Sequence, residues 1–311
     1  MKFSVWRLAK EKEFAEAGIS EASNEVMLLC MLIMHKDRSF FHLYDEEEMT
    51  CFLTDTDISA LERTAKRRAK REPLAYILGE QYFYDSDFLV GAGVLIPRAD
   101  SEILVDTALA SLCITQNDFS CIVPQLRGLS SPIRIMDLCT GSGCVGITIA
   151  KQILLAGRTP DVFLTDISSQ ACYYAKKNVE RMECPSCAHV VETNLWPSME
   201  RMEYGWQGKR ADMIVANPPY VRADEMSSLM PEVSAFEPSI ALTDSSDGLS
   251  FYRRIVKEYD KYLSPGGVLI VEHGFDQGAD VRNLFARNGF ISCQTIKDYG
   301  GNDRVTIGQR P

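Results

Sequence analysis

Asn217-Pro218-Pro219-Tyr220 is the segment of this chain with the most chemistry to offer. It follows Asp212-Met-Ile-Val-Ala216, an apolar run that reads as a strand, and ligands in open α/β sheets bind at the carboxyl edge of the strands. Two consecutive prolines fix φ and remove two backbone donors, so nearby carbonyls face the site without a competing N–H. Asn217 Oδ1 and the Pro218 carbonyl can then accept both hydrogens of a planar NH2 group, while Tyr220 supplies an aromatic face for a flat amide or base. An amide nitrogen is a poor nucleophile because its lone pair is delocalised. Such a site would work by holding that nitrogen in line with an electrophilic methyl and stabilising the positive charge that develops. The plain alternative is a Pro-Pro turn at a strand end.

A second constellation is Asp137-Leu-Cys139-Thr140-Gly141-Ser142-Gly143-Cys-Val-Gly146, again at the end of a predicted strand and opening a helix. Gly141, Gly143 and Gly146 spell GxGxxG, the pattern that lays a dinucleotide pyrophosphate on a helix N-terminus. The glycines alone say only that a ligand approaches the backbone closely. Asp166, ending the next predicted strand, is placed to accept hydrogen bonds from a ribose diol, with capping of the helix after Ile167-Ser-Ser as its structural alternative. Asp137 discriminates between ligands. A carboxylate just before the glycines would repel a pyrophosphate but suits a ligand carrying an ammonium and a sulfonium.

These residues need a framework, and the periodicity supplies one. From Ile133 onward predicted strands (134–138, 162–165, 188–192, 213–216, 268–272, 291–296 and 305–307) alternate with predicted helices (145–155, 169–181, 249–262 and 277–288), which argues for a mainly parallel α/β sheet. The last two strands are joined by Lys297–Asp303, too short for a crossover helix, so they must pair antiparallel. Residues 1–72 are helical in pattern: Leu28, Leu29, Leu32 and Ile33 keep one 3.6-residue period and Ile58, Leu61 and Ala65 another. Ser20 with Glu21, and Asp55 or Asp57, offer N-cap chemistry. Pro73 ends the last helix. Gln81–Val90 and Val94–Ile96 around Gly91 and Gly93 then read as a hairpin. The expected organisation is a helical domain over 1–72, a β-hairpin linker over 73–100 and a catalytic domain over 101–311.

Composition narrows the classes. With 46% hydrophobic and 24% charged residues the chain has an ordinary globular balance. The longest apolar run, Val26–Met34, is far too short to span a bilayer. No signal or transit pattern opens the sequence, so the cytoplasm is the expected compartment, without membrane contact. A net charge of -10 opposes binding to a phosphate backbone, and no direct nucleic-acid partner is expected. Residues 61–72 nevertheless carry six cations and two acids, either a solvated helix face or a contact surface for an anionic partner. The ten cysteines are scattered along a chain without a secretory signal and read as reduced thiols. Cys184-Pro-Ser-Cys187 with His189 lacks the second pair that a structural zinc site needs, so no metal is expected. HExxH and GxSxG are absent, which removes metalloprotease and acyl-hydrolase readings.

Asp137–Gly146, Asp166 and Asn217–Tyr220 together resemble the S-adenosylmethionine-dependent methyltransferases whose N-P-P-Y motif methylates planar nitrogens. Five further segments resemble the bacterial peptide chain release factor glutamine N5-methyltransferases, in order and across nearly the whole chain: Arg71–Gly79, Leu95–Glu102, Phe236–Pro238, Glu272–Gly274 and Asp298–Val305. The resemblance implies a small N-terminal helical domain that recognises the substrate, a hairpin linker and a Rossmann-like seven-stranded methyltransferase sheet, mainly parallel with a C-terminal antiparallel hairpin. It implies S-adenosyl-L-methionine as cofactor and class 1 peptide chain release factors as partners, with the glutamine of their Gly-Gly-Gln loop as acceptor. Carried over residue by residue, Thr140, Gly141, Ser142 and Gly143 line the methionine part with Asp137 and Cys139, and Asp166 takes the ribose hydroxyls. Asn194 and Leu195 flank the adenine, and Asn217, Pro218, Pro219 and Tyr220 hold the glutamine amide. Two positions depart from the family pattern. Cys139 stands where glycine is common, so backbone there must accept a side chain, and Asn194-Leu195 replaces an acid followed by a bulky residue. An amide at 194 can still bond the adenine amino group.

Four other readings share some of these parts. A ribosomal-protein glutamine methyltransferase would suit the glycine loop, but Ile96–Glu102 and Asp298–Asp303 argue against it. An adenine-N6 DNA methyltransferase would present the same N-P-P-Y to a flipped base, yet wants a broad basic face and a target-recognition domain. A nicotinamide oxidoreductase is suggested by the literal GxGxxG. A scaffold built on an inactive methyltransferase would have no reason to keep Asn217–Tyr220 intact.

Overall fold

The helical period of the N-terminal segment is realised, in a computed structural model that describes residues 1–115, 117, 120–126 and 128–311, as five helices. They are α1 (Phe3–Glu16), α2 (Ala22–Met34), α3 (Arg38–Leu43), α4 (Asp55–Ala69) and α5 (Leu74–Leu78). Phe3, Trp6, Phe14, Val26, Leu29, Phe41, Leu61 and Ala65 form their shared core, each large side chain contributing about 1.5–3 kcal/mol on burial. The cap of α4 is Thr54 rather than Asp55 or Asp57. Its hydroxyl accepts the Asp57 N–H at 3.2 Å while the Asp57 carboxylate accepts the Thr54 N–H at 3.0 Å, a reciprocal box that satisfies two orphan donors. At the start of α2 no side chain caps the helix, so Ser20 and Glu21 do not perform the expected role. Pro73 separates α4 from α5 instead of ending helical structure, because proline is tolerated at a helix start.

The chain continues through β1 (Glu80–Phe83), β2 (Ser86–Leu89), α6 (Glu102–Ser111), β3 (Ile133–Leu138), α7 (Cys144–Leu155), β4 (Pro160–Asp166) and α8 (Ser169–Arg181). There follow β5 (Ala188–Glu192), α9 (Met199–Trp206), β6 (Ala211–Ala216), α10 (Pro231–Phe236), α11 (Ser239–Leu242), α12 (Ser250–Tyr262), β7 (Leu263–Glu272), α13 (Gly278–Arg287), β8 (Ile291–Lys297) and β9 (Asp303–Gln309). Met1–Glu80 together with Met230–Phe236 make one compact unit, and Gln81–Leu229 with Glu237–Pro311 the other.

Within the helical unit, two of the six cations of the basic run turn inward. Arg68 is 4% exposed and pairs with Glu25 and with Glu232 of α10, the latter at 3.0 Å. Arg71 reaches Glu232 and the carbonyls of Ala17 and Gly18, both at 2.8 Å, and Arg67 forks onto Glu72. Arg63, Lys66, Arg67 and Lys70 remain exposed. The run is therefore neither a uniform solvated face nor a uniform contact surface.

The hairpin is shifted from its expected place. It is β1 and β2, turning at Tyr84–Asp85 with Tyr84 at φ 61°, and Val94–Ile96 forms no strand. Gly91 serves close approach instead, since a Cβ there would sit 2.0 Å from the Tyr174 hydroxyl.

In the second unit seven strands form one sheet in the order β5-β4-β3-β6-β7-β9-β8. β5 through β7 in that row run parallel, and β9 pairs antiparallel with both β7 and β8, as the short 297–303 connection requires. Alternate residues of each strand enter opposite cores. Ile135, Leu164, Val215 and Ile270 pack with α6 and α7 residues on one face, and Met136, Phe163, Ile214 and Leu269 with α12 and α13 residues on the other. This is the expected Rossmann-like sheet with its C-terminal antiparallel hairpin. Among the described residues no helix is long and apolar enough to cross a membrane.

Candidate active site

β3 leads outward through β4 to β5, and the chain then returns to the other side of β3 as β6. This reversal opens a crevice at the carboxyl ends of β3 and β6, where open α/β sheets bind ligands. Leu138 and Ala216 are paired in register, so the Cys139–Gly143 loop and Asn217–Tyr220 leave the sheet side by side.

The glycine loop is wound through three left-handed residues, Cys139 at φ 57°, Gly141 at 58° and Gly143 at 84°. Cys139 accepts the conformation despite its Cβ, at a cost of about 1–2 kcal/mol. Asp137, 2% exposed, organises the loop from inside: its Oδ2 accepts the Thr140 hydroxyl at 2.5 Å and the Gly146 N–H at 3.0 Å. Burial pushes the Asp137 carboxyl up to about 7, against the pull of those two donors. A donor at the start of α7 that a phosphate would need is thus already given to a carboxylate, which disfavours the pyrophosphate reading of GxGxxG. Gly146 is required for helix-strand contact, because a Cβ there would lie 2.4 Å from Leu164 Cδ2 and 2.8 Å from Asp137 Oδ2. Gly146→Ala is expected to lower the unfolding free energy by about 1–3 kcal/mol through overpacking. A thermal midpoint equal to that of the parent protein would contradict this contact.

Asp166 faces the loop from the end of β4. Its two oxygens accept the backbone N–H groups of Gly141 and Ser168, each at 2.9 Å, while burial raises its pKa. The cap of α8 is Ser168, whose hydroxyl accepts the Ala171 N–H at 3.2 Å, so Asp166 is not needed as the capping residue. Asn178 of α8 holds the other side of the loop by donating to the carbonyls of Ser142 at 2.9 Å and Leu89 at 3.0 Å.

Asn217 donates its Nδ2 to Ser101 Oγ at 3.1 Å, which leaves Oδ1 as its accepting end. Pro218 and Pro219 are buried. The Tyr220 carbonyl accepts Gln277 Nε2 at 3.0 Å, and its phenol donates to Glu272 Oε1 at 3.3 Å. Glu272 is buried, which lifts its carboxyl to about 7 although Ser101, Arg304 and Tyr220 favour the ionised form.

One cavity collects most of the expected site residues: Asp137, Cys139, Thr140, Gly141, Ser142, Asp166, Asn194, Leu195, Asn217 and Pro219 all line it. Gly143, Pro218 and Tyr220 do not. The wall also includes residues to which the sequence assigned no role, notably Arg98, Ser101, Ile167, Ile240, Phe251 and Arg254. Arg98 and Ser101 belong to the Leu95–Glu102 segment, and Arg98 is held by buried Glu237, which also accepts the Ile96 N–H at 3.1 Å. Arg254, stacked 5.3 Å from the Phe251 ring centroid, donates to Asn194 Oδ1 at 2.6 Å, which uses one of the two lone pairs of that oxygen and fixes the orientation of the amide. Cys184 and Cys187 are buried free thiols that contact backbone carbonyls.

The comparisons with known proteins place the chain in a family. A family model described as the PrmC N-terminal domain matches residues 7–79, and one described as the methyltransferase small domain matches residues 122–233. The chain is 35% identical to the release factor glutamine methyltransferase of Geobacter sulfurreducens, over 99% of this chain and 98% of that protein. The chain belongs to the release factor glutamine methyltransferase family. Relatives of the same description in Thermodesulfovibrio yellowstonii and Clostridium acetobutylicum are 36% and 34% identical, covering 83% and 91% of this chain and 84% and 90% of theirs. As a member of the release factor glutamine methyltransferases it is a protein glutamine methyltransferase.

Proposed function

We propose that this enzyme transfers the methyl group of S-adenosyl-L-methionine to the side-chain amide nitrogen of the glutamine in the Gly-Gly-Gln motif of class 1 peptide chain release factors. The observation that carries the reading is that Asn217 and Pro219 line the same cavity as Asp137, Asp166 and the glycine loop. The donor set suits the cofactor. A buried carboxyl at 137 matches an ammonium, the Asp166 carboxylate retains acceptor capacity for a diol, and Ile167, Leu195 and Phe251 offer apolar walls to a flat base. Asn194 would give its N–H to a ring nitrogen of that base. When bound, the cofactor supplies an electrophilic methyl on sulfur.

The rest of the chemistry belongs to the chain. Asn217 Oδ1 accepts a hydrogen of the glutamine amide, orients its nitrogen toward the methyl and stabilises the positive charge that grows on it. Incubation of a purified class 1 release factor with the enzyme and S-adenosylmethionine tests the reading directly, with methylation of that glutamine as the expected product and none as its refutation.

Cofactor affinity should depend on pH through Asp137. Below about 7 the carboxyl in the free protein is neutral, and an ammonium requires it ionised, so binding must expel a proton. Affinity is expected to fall as pH drops below 7, approaching about tenfold per pH unit, and Asp137→Asn should flatten the dependence. Calorimetric titration from pH 5.5 to 8 reads both. A wild-type affinity that stays constant over that range would remove the proposed ammonium contact.

A release factor presented through one small loop would gain from a second contact, which raises the effective concentration of its glutamine. We assign that contact to the exposed cations of the helical unit. Lys66→Glu with Lys70→Glu should raise KM for intact release factor, leave a short Gly-Gly-Gln peptide unaffected, and be mimicked by salt, since exposed charges are screened within about 8–10 Å. Equal KM values for the intact substrate before and after reversal would return those lysines to solvent.

A further inference from the structure

The turn after β5 is held firmly along its backbone. Thr193 N–H donates to the Asp166 carbonyl at 2.7 Å, Trp196 N–H to the Asn194 carbonyl at 3.1 Å, and the Thr165 hydroxyl to the Leu195 carbonyl at 2.9 Å. These bonds seat Asn194 next to the end of β4, on the cavity wall that also carries Asp166, Phe251 and Arg254. What they leave open is the direction of the Asn194 amide. A carboxamide can be turned over with little change in shape, and only its partners decide which end is oxygen.

Among the described residues the Asn194 side chain has one hydrogen-bond partner, Arg254 Nη2, which lies 2.6 Å from Oδ1. A guanidinium has donors and no acceptor, and it stays protonated in proteins, so the end of the amide that faces it must be the oxygen. The cation is itself held in place. Phe251 and Arg254 stand three residues apart on α12, which puts them on one face of the helix, with Arg254 Cζ 5.3 Å from the ring centroid.

With its polarity fixed, Asn194 offers the cavity its Nδ2 donor and, beside it, the second lone pair of Oδ1. That pattern complements adenine, whose 6-amino group donates next to a ring nitrogen that accepts. An asparagine amide meets adenine with the same reciprocal pair in nucleic-acid recognition. Hypoxanthine reverses both groups, with oxygen on C6 and hydrogen on N1. An amide free to turn over would serve either base. One held by Arg254 would serve only adenine, because turning it would set its NH2 group against the guanidinium, donor against donor.

We infer that Arg254 is a specificity-determining residue for the cofactor: it fixes the polarity of the Asn194 amide, so that the cavity takes an adenine and rejects a hypoxanthine in its place. The inference rests on the cofactor reading given above, with Asn194 beside the base.

Calorimetric titration of the full-length enzyme with S-adenosylhomocysteine and with its deaminated analogue S-inosylhomocysteine tests it. Wild type should prefer the adenine ligand by on the order of 10- to 100-fold, the worth of one reciprocal pair. Arg254→Met keeps an apolar stem against Phe251 and removes the donors, and the ratio of the two affinities should fall by at least about fivefold. Arg254→Lys, which still donates and cannot accept, should retain most of the ratio. A residue that merely braced the turn would weaken both ligands together and leave the ratio alone. Arg254 is exposed, so its replacement leaves the core intact. A wild-type enzyme without preference, or an unchanged ratio in Arg254→Met, would overturn the inference. If Asn194→Ala bound both ligands as wild type does, the placement of the base at Asn194 would fall and the inference with it. Failure of wild type to bind S-adenosylhomocysteine at all would instead refute the cofactor reading.

Discussion

Replacing Asn217 by alanine is expected to cut turnover by on the order of 10²-fold or more while leaving affinity for S-adenosylmethionine nearly unchanged. The asymmetry follows from where the side chain stands. Asn217 follows β6, tied to Ser101 through Nδ2, and its remaining oxygen is the acceptor offered to the glutamine amide. An interaction made only as the nitrogen aligns with the methyl stabilises the transition state and contributes little to cofactor binding. Stopped turnover with intact cofactor affinity is the result that fits. If kcat survived the substitution, orientation of the amide would have to come from elsewhere.

The second large effect is expected at Asp166. Asp166→Ala should weaken S-adenosylmethionine and its demethylated product alike, by a few kcal/mol or on the order of 10²-fold, because charge-assisted bonds to a ribose diol are lost. Part of that loss arises within the protein. The carboxylate also accepts the Gly141 and Ser168 N–H groups at 2.9 Å, so its removal loosens the loop that faces the ligand. Asp166→Asn, which keeps one acceptor oxygen, should fall between wild type and alanine. Calorimetric titration giving one affinity for all three proteins would refute the ribose assignment.

What could be read from the amino acids alone was uneven for physical reasons. Every strand of the large sheet was legible, because buried apolar runs such as Met213–Ala216 are bounded by polar or glycine-bearing turns. The antiparallel ending followed from chain length between Lys297 and Asp303. Helix α6 was not legible: Ile103, Leu104, Val105, Ala108, Leu109 and Ala110 are buried all round it, so no polar stripe marks a period. The hairpin was misplaced because Tyr84 adopts a left-handed turn without glycine while Gly91 answers a contact with Tyr174, a residue distant in sequence. The loops that line the cavity were legible because their chemistry is local: a strand end, glycines and the Asn-Pro-Pro-Tyr run. The support beneath them was not. Ser101, Glu272 and Arg304 lie far apart along the chain, and only the sheet order that sets β7 between β6 and β9 brings them together. The bond from Arg254 to Asn194 Oδ1 was not legible either, because nothing local announces it.

The most direct measurement is mass spectrometry of a purified class 1 release factor after incubation with this enzyme and S-adenosylmethionine, with the Asn217→Ala enzyme as a parallel sample. The account predicts that the peptide containing Gly-Gly-Gln gains the mass of one methylene group, located on the glutamine side chain, and that the gain is lost or slowed at least on the order of 10²-fold with Asn217→Ala. A release factor left unmodified by an enzyme that binds the cofactor, or a methyl group found on any residue other than that glutamine, would contradict it.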